Sequence, residues 1–179
     1  MKHIIAFSGS NSSRSINQNL IRATAKMREG IEVIDLRDYP MPIYSYDLEK
    51  ESGLPVQVSR LIEKLLTADG FIIATPEHNG LPPAFFKNTY DWMSRSGVKY
   101  MEDKPTLVMA TSDGKRGAQS ALAAVEKLLS RPGANIVGRF SLPSYSETFD
   151  EEKLEIKNKS FLKELDRQID NLCDALEGS

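Results

Sequence analysis

Sulfur and imidazole are scarce in this chain. It has one cysteine, Cys173, and two histidines, His3 and His78, in 179 residues. A lone cysteine cannot close an intramolecular disulfide, which suits a reducing compartment and leads us to expect a cytoplasmic location. One Cys and two widely separated His do not make a Zn-type ligand cluster. Cys173 stands beside Leu172 and Leu176, so packing is its expected role, and His3 is expected in a strand without a chemical role. No apolar run approaches the ~20 residues that cross a bilayer. The stretch from Met1 to Ser8 is too short and too weakly basic to read as a signal peptide. Neither sign of charge dominates: 23 Lys and Arg stand against 25 Asp and Glu, for a net charge of -2. Without a basic stripe, neither nucleic acid nor a membrane surface is an expected partner. No repeat, low-complexity tract or linker divides the sequence, so residues 1–179 read as one domain. A domain of this size buries roughly 70% of its unfolded-chain surface, enough for a core without disulfides or metal.

What is present is an alternation of two patterns. Short apolar runs at residues 4–7, 32–36, 71–74, 106–110 and 136–140 read as strands covered on both faces. Between them, apolar residues recur at helical spacing. Ile16, Leu20, Ala23 and Met27 share one helical face, and Val58, Leu61, Ile62, Leu65 and Leu66 share another. Phe85, Phe86, Trp92 and Met93 anchor a third helix. Ala118, Ala121, Leu122, Val125, Leu128 and Leu129 line a fourth, and Phe161, Leu162, Leu165, Ile169, Leu172 and Leu176 a fifth. Pro55, Pro82 and Pro83 stand where helices are expected to start. Five strands alternating with five helices predict an α/β fold: a doubly wound, five-stranded parallel sheet with helices on both faces. The commonest order for such a sheet is 2-1-3-4-5, with ligands outside the carboxyl ends of the strands at the switch point. Three loops therefore matter most.

The first, residues 8–17, is almost wholly small and polar. Its hydroxyls and backbone N–H groups lie at a helix N-terminus and make an anion site suited to phosphate. Ser13 or Ser15 could equally serve as a plain N-cap, although eight polar or Gly residues in a row exceed what a cap requires. The second loop, residues 75–83, holds the Asn79-Gly80 turn signal between stiffening prolines. It reads either as a rigid edge for a flat ring or as an ordinary strand-to-helix turn. In the third loop, residues 111–118, Gly114 and Gly117 permit close backbone approach to a ligand. Lys115 and Arg116 there could neutralise negative charge or simply be solvated. There is no P-loop lysine motif and no G-x-G-x-x-G fingerprint. No cysteine nucleophile sits in the first loop, and no acidic pair ends the first strand.

These residues resemble the NADPH-dependent FMN reductase family of flavodoxin-like proteins, which includes quinone, azo-dye and chromate reductases. The family loop G-S-x-R-x-x-S-x-N is matched in register by Gly9, Ser10, Ser15 and Asn17. The longer motif P-E-Y-N-G-x-x-P, followed by K-N-x-x-D-W, is matched by Pro76, Glu77, Asn79, Gly80, Pro83, Lys87, Asn88, Asp91 and Trp92. The chain departs from the family at Ser12, which stands where the Arg falls, with Arg14 two residues later. His78 replaces the family Tyr, and Arg116-Gly117 replaces a Gly-Gly pair.

The resemblance implies bound FMN. Its phosphate is expected against Ser10, Ser12, Arg14, Ser15, Ile16 and Asn17. Its ring is expected against Pro76, Glu77, His78, Asn79 and Gly80, with Ser112, Gly114 and Lys115 at the far edge. NADPH or NADH would be the co-substrate, and a flavin, quinone, azo compound or similar small molecule the acceptor. No separate general acid or nucleophile is expected, because the flavin carries the redox chemistry. The resemblance also implies a homodimer or homotetramer, with the Tyr44–Tyr46 part of the long 38–53 connector near the partner subunit. Two other readings stand beside this one. A flavodoxin-type electron carrier would need no NAD(P)H turnover, but the Thr-rich loop and strongly acidic surface of flavodoxins are missing. A flavin-less regulatory domain is compatible with fold alone.

Overall fold

Residues 2–178 are described by a computed structural model. Strand β1 (Ile4–Ser8) leads through the first loop into α1 (Ile16–Ala25). After β2 (Ile31–Val33) come a short 3-10 turn (Leu36–Asp38), α2 (Tyr46–Ser52) and α3 (Val56–Leu66). Strand β3 (Gly70–Thr75), α4 (Ala84–Ser94), β4 (Pro105–Thr111), α5 (Gln119–Leu129) and β5 (Asn135–Leu142) complete the alternation. A tail of α6 (Tyr145–Thr148), a two-residue hairpin β6 (Phe149–Asp150) and β7 (Glu155–Ile156), and α7 (Lys159–Glu177) follows. The five long strands form one parallel sheet in the order β2-β1-β3-β4-β5, as the alternation predicts.

All residues of β1, β3 and β4 are buried, which is why these strands read as unbroken apolar runs. Alternate side chains feed two cores. Ile5, Phe7, Phe71, Ile73 and Val108 pack under α3, α4 and α5. Ile4, Ala6, Ile72, Leu107 and Met109 pack under α1 and α7. Pro55 and Pro83 stand at the N-caps of α3 and α4. Their fixed φ suits that position, and their missing N–H is one the helix could not have paired.

Two local details differ from the sequence pattern. The second strand spans residues 31–33 rather than 32–36, because Asp35 accepts a hydrogen bond from the Arg37 N–H and starts the 3-10 turn. The 38–53 connector contains α2, whose residues are all at least partly exposed and which therefore shows no apolar stripe. His3 precedes β1 instead of lying in it and faces Glu32 at 2.8 Å. Cys173 is half-buried against the α7-side core.

Candidate functional site

The three loops leave the carboxyl ends of β1, β3 and β4, which are neighbours in the sheet. The first is anchored at its base, where the Gly9 N–H donates to the Ala74 carbonyl of β3 at 2.8 Å. Phe86 of α4 packs so closely beneath that a Cβ on Gly9 would lie 2.7 Å from its ring. Small hydroxyls then shape the loop from within. Ser10 Oγ accepts from the Ser12 N–H and Ser12 Oγ from the Arg14 N–H, both at 3.2 Å. Ser15 is the N-cap of α1 and accepts from the Gln18 N–H. The first turn of α1 carries no acidic residue. Residues 11–14 are exposed, and the N–H groups of Asn11 and Ser13 have no acceptor among the described residues. Such free donors at the positive end of a helix dipole favour an anion.

The second loop is a tight hairpin turn. The His78 N–H donates to the Leu81 carbonyl at 2.9 Å, and the reverse bond measures 3.2 Å. Asn79 and Gly80 both have positive φ, 54° and 81°, the geometry of a type I′ turn and the reason for the Asn-Gly pair. His78 and Asn79 are exposed at its tip. Glu77 points the other way: its Oε2 accepts from the Ala121 N–H at 3.0 Å. That bond caps α5, whose own N-cap, Ala118, is left-handed and has no side-chain bond to offer.

The third loop is held from both sides. Asn17 of α1 donates through Nδ2 to the Thr111 carbonyl and accepts from the Thr111 N–H through Oδ1, each at 3.0 Å. From the other side, Ser144, Tyr145 and Ser146 donate their N–H groups to the Gly114 carbonyl, the Ser112 carbonyl and Asp113 Oδ1. Lys115 and Arg116 project at the exposed tip. Gly117 has φ 56°, and a Cβ there would lie 2.3 Å from Ser141 Oγ.

The structure therefore gathers the sequence-expected residues at one end of the sheet but divides their work. Ser10, Ser12, Arg14, Ser112, Gly114 and Lys115 are partly or fully exposed on the rims of loops 1 and 3. Ser15 and Ile16 form the start of α1, while Pro76, His78, Asn79 and Gly80 form the turn. Asn17 is 1% exposed, and both its polar atoms face Thr111. The sequence reading missed the 143–146 segment behind loop 3; Pro143-Ser144 was the only turn signal there. Ser8, the first residue of loop 1 in the sequence, has its Oγ at the end of β1 buried without a hydrogen-bond partner among the described residues, which no sequence signal marks.

FMN carries a dianionic phosphate and a flat ring. A buried orphan hydroxyl, free N–H donors at an acid-free helix start and a stiff adjacent turn fit such a group. Residues 2–147 match the family model described as NADPH-dependent FMN reductase. The chain belongs to that family. Membership brings the cofactor, FMN, and the reaction class, reduction at the expense of NAD(P)H. A Mycoplasma pneumoniae protein, the uncharacterized MG342 homolog, is 34% identical over 78% of this chain and 86% of its own length. The NADH:(hydroxy)cinnamate reductase subunit CrdA of Vibrio ruber is 32% identical over 72% of this chain, and the match spans only 62% of that protein. The solved structure of FerB, a flavoenzyme NAD(P)H:(acceptor) oxidoreductase from Paracoccus denitrificans, superposes with a TM-score of 0.81 at 28% identity. That superposition covers 99% of this FMN reductase family member and 98% of FerB.

Proposed function

We propose that this chain works as a single cytoplasmic reductase domain that takes electrons from NADPH, or NADH, and delivers them to a small-molecule acceptor such as a quinone, azo compound or flavin. The observation that carries the reading is the convergence of an acid-free, hydroxyl-rich helix start and a rigid type I′ turn at the switch point of the sheet. When bound, FMN supplies hydride acceptance and donation, and the protein supplies binding, orientation and electrostatics. Ser10, Ser12, the free N–H groups of Asn11 and Ser13, and the helix start at Ser15, Ile16 and Asn17 hold the phosphate, with Arg14 closing over it. Pro76 through Gly80 present a fixed wall to the ring, and Ser112, Gly114 and Lys115 border its far edge. Glu77 and Asn17 set the spacing of these walls through Ala121 and Thr111. The working unit is a homodimer or homotetramer. Exposed Ile43 and Tyr46 (79% and 61%) support this, flanking a strap whose Pro42 carbonyl accepts from Trp92 Nε1–H of α4.

The test separates phosphate from ring. Ser15→Asp puts a carboxylate beside the phosphate yet keeps an N-cap acceptor for Gln18. FMN affinity should fall at least about tenfold, because a charge-assisted bond worth roughly 1.5–3 kcal/mol becomes a repulsion. Riboflavin, which has no phosphate, should bind as before in a fluorescence-quenching titration. Arg14→Ala should show a smaller loss with the same selectivity. Equal weakening of both flavins by Ser15→Asp would remove the phosphate assignment.

A further inference from the structure

Reducing a quinone by two electrons takes more than a hydride. Hydride transfer leaves one oxygen as a phenolate, and a phenol, with an ordinary pKa of about 10, holds its proton at neutral pH. That oxygen must therefore receive a proton. Histidine is the side chain whose ordinary titration range puts a transferable proton at neutral pH. The chain has two. His3 precedes β1, at the end of the sheet away from the three loops, and both its ring nitrogens are engaged: Nδ1 with the Thr67 carbonyl at 3.0 Å and Nε2 with Glu32 at 2.8 Å. His78 lies just beyond the carboxyl end of β3, the central strand, in the turn assigned to the flavin ring. It is exposed, and neither ring nitrogen has a partner among the described residues.

The turn fixes where this imidazole starts from. The reciprocal bonds between His78 and Leu81 hold its backbone, and positive φ at Asn79 and Gly80 closes the turn behind it. The other charged groups of the three loops are poor sources of a proton. Glu77 is held by the Ala121 N–H, and Asp113 by the Ser146 N–H. Arg14, Lys115 and Arg116 are of types that keep their protons at neutral pH. Residue 78 is also where the otherwise matched P-E-Y-N-G motif carries a different side chain. We propose that His78 is a catalytic acid that protonates the acceptor oxygen. The electron pair and one hydrogen come from the reduced flavin, which is oxidised. The imidazolium N–H bond breaks as the O–H bond forms, the quinone becomes a hydroquinone, and the imidazole takes a proton back from water. The proposal rests on the reductase reading and names the acceptor class: molecules such as quinones, whose reduction ends on an atom that must be protonated.

The test compares two acceptors. FMN-loaded protein reduced with one equivalent of NADPH is mixed, without oxygen, with duroquinone or with ferricyanide, which takes electrons and no proton. In His78→Gln the ratio of the duroquinone rate to the ferricyanide rate should fall about a hundredfold, the low end of what a positioned acid contributes. Damage to the ring wall slows both acceptors alike and leaves the ratio unmoved. His78→Ala should show the same fall, and added imidazole should restore part of its duroquinone rate. A second readout needs no turnover. In the oxidised, FMN-loaded protein the two imidazoles give separate NMR signals, assigned with His3→Gln. Duroquinone should shift the His78 signal and leave that of His3 in place. An unmoved ratio in His78→Gln would overturn the proposal. So would a His78 signal that stays in place at duroquinone concentrations that saturate the rate. A wild type that NADPH does not reduce would instead strike the reductase reading, whereas NADPH reduction with an unmoved ratio strikes His78 alone.

Discussion

Asn17 and Thr111, 94 residues apart in sequence, grip each other through two buried hydrogen bonds of 3.0 Å. One side chain thereby satisfies both backbone groups at the end of β4 and fixes the first loop against the third. Asn17→Ala leaves a buried N–H and a buried C=O unpaired, at about 1–3 kcal/mol each. Denaturant unfolding should show a loss of about 2–6 kcal/mol, and thermal unfolding a fall of roughly 4–24 °C. FMN and riboflavin should weaken together, unlike the response to Ser15→Asp. A loss confined to FMN would mean that Asn17 touches the phosphate itself.

Gly9→Ala tests the seat of the same loop. The added Cβ would lie 2.7 Å from the Phe86 ring, well inside contact distance. Gly9 is not in the left-handed region, so the cost is steric, about 1–3 kcal/mol of overpacking. Phe86→Leu in that background should recover part of the loss, giving a double-mutant cycle that does not add. Additive losses would place the strain elsewhere.

Acid stability should depend on Glu32. Its bond to Lys64 first, and then that to His3, hold the carboxyl below its usual range. A folded-state pKa below the unfolded one stabilises the fold above the unfolded value and loses that contribution as pH falls through the folded one. The loss therefore comes on the acid side of pH 4.5, the ordinary Glu value. Because Glu32 is 40% exposed, it should amount to no more than about 1 kcal/mol. Urea midpoints at pH 7 and pH 3 should differ less in Glu32→Gln than in the wild type. An unchanged difference would assign the acid sensitivity to other carboxylates.

Kinetics should show one redox site used by two substrates in turn. Double-reciprocal plots with NADPH and a quinone should be parallel, the ping-pong pattern. Lines that intersect at low acceptor would mean that both substrates are bound at once.

Local chemistry made much of this molecule legible. Pro55 and Pro83 marked two helix starts, and Asn79-Gly80 marked a turn, because each acts through its own backbone. The exposed α2 was illegible, since a helix without a buried face leaves no period to read. Glu77 was legible as a loop residue but not as the cap of α5, because its partner Ala121 lies 44 residues away.

By itself the sequence determined the sheet, its two helical layers and the three loops that matter, since burial on one face or two writes a period into adjacent residues. Tertiary structure decided how those loops are held: Asn17 on Thr111, Glu77 on Ala121, and the 143–146 segment on Ser112, Asp113 and Gly114. Side-chain bonds between residues far apart in the chain leave no periodic trace in it; they exist only once the packed sheet has set the distances between its loops and helices.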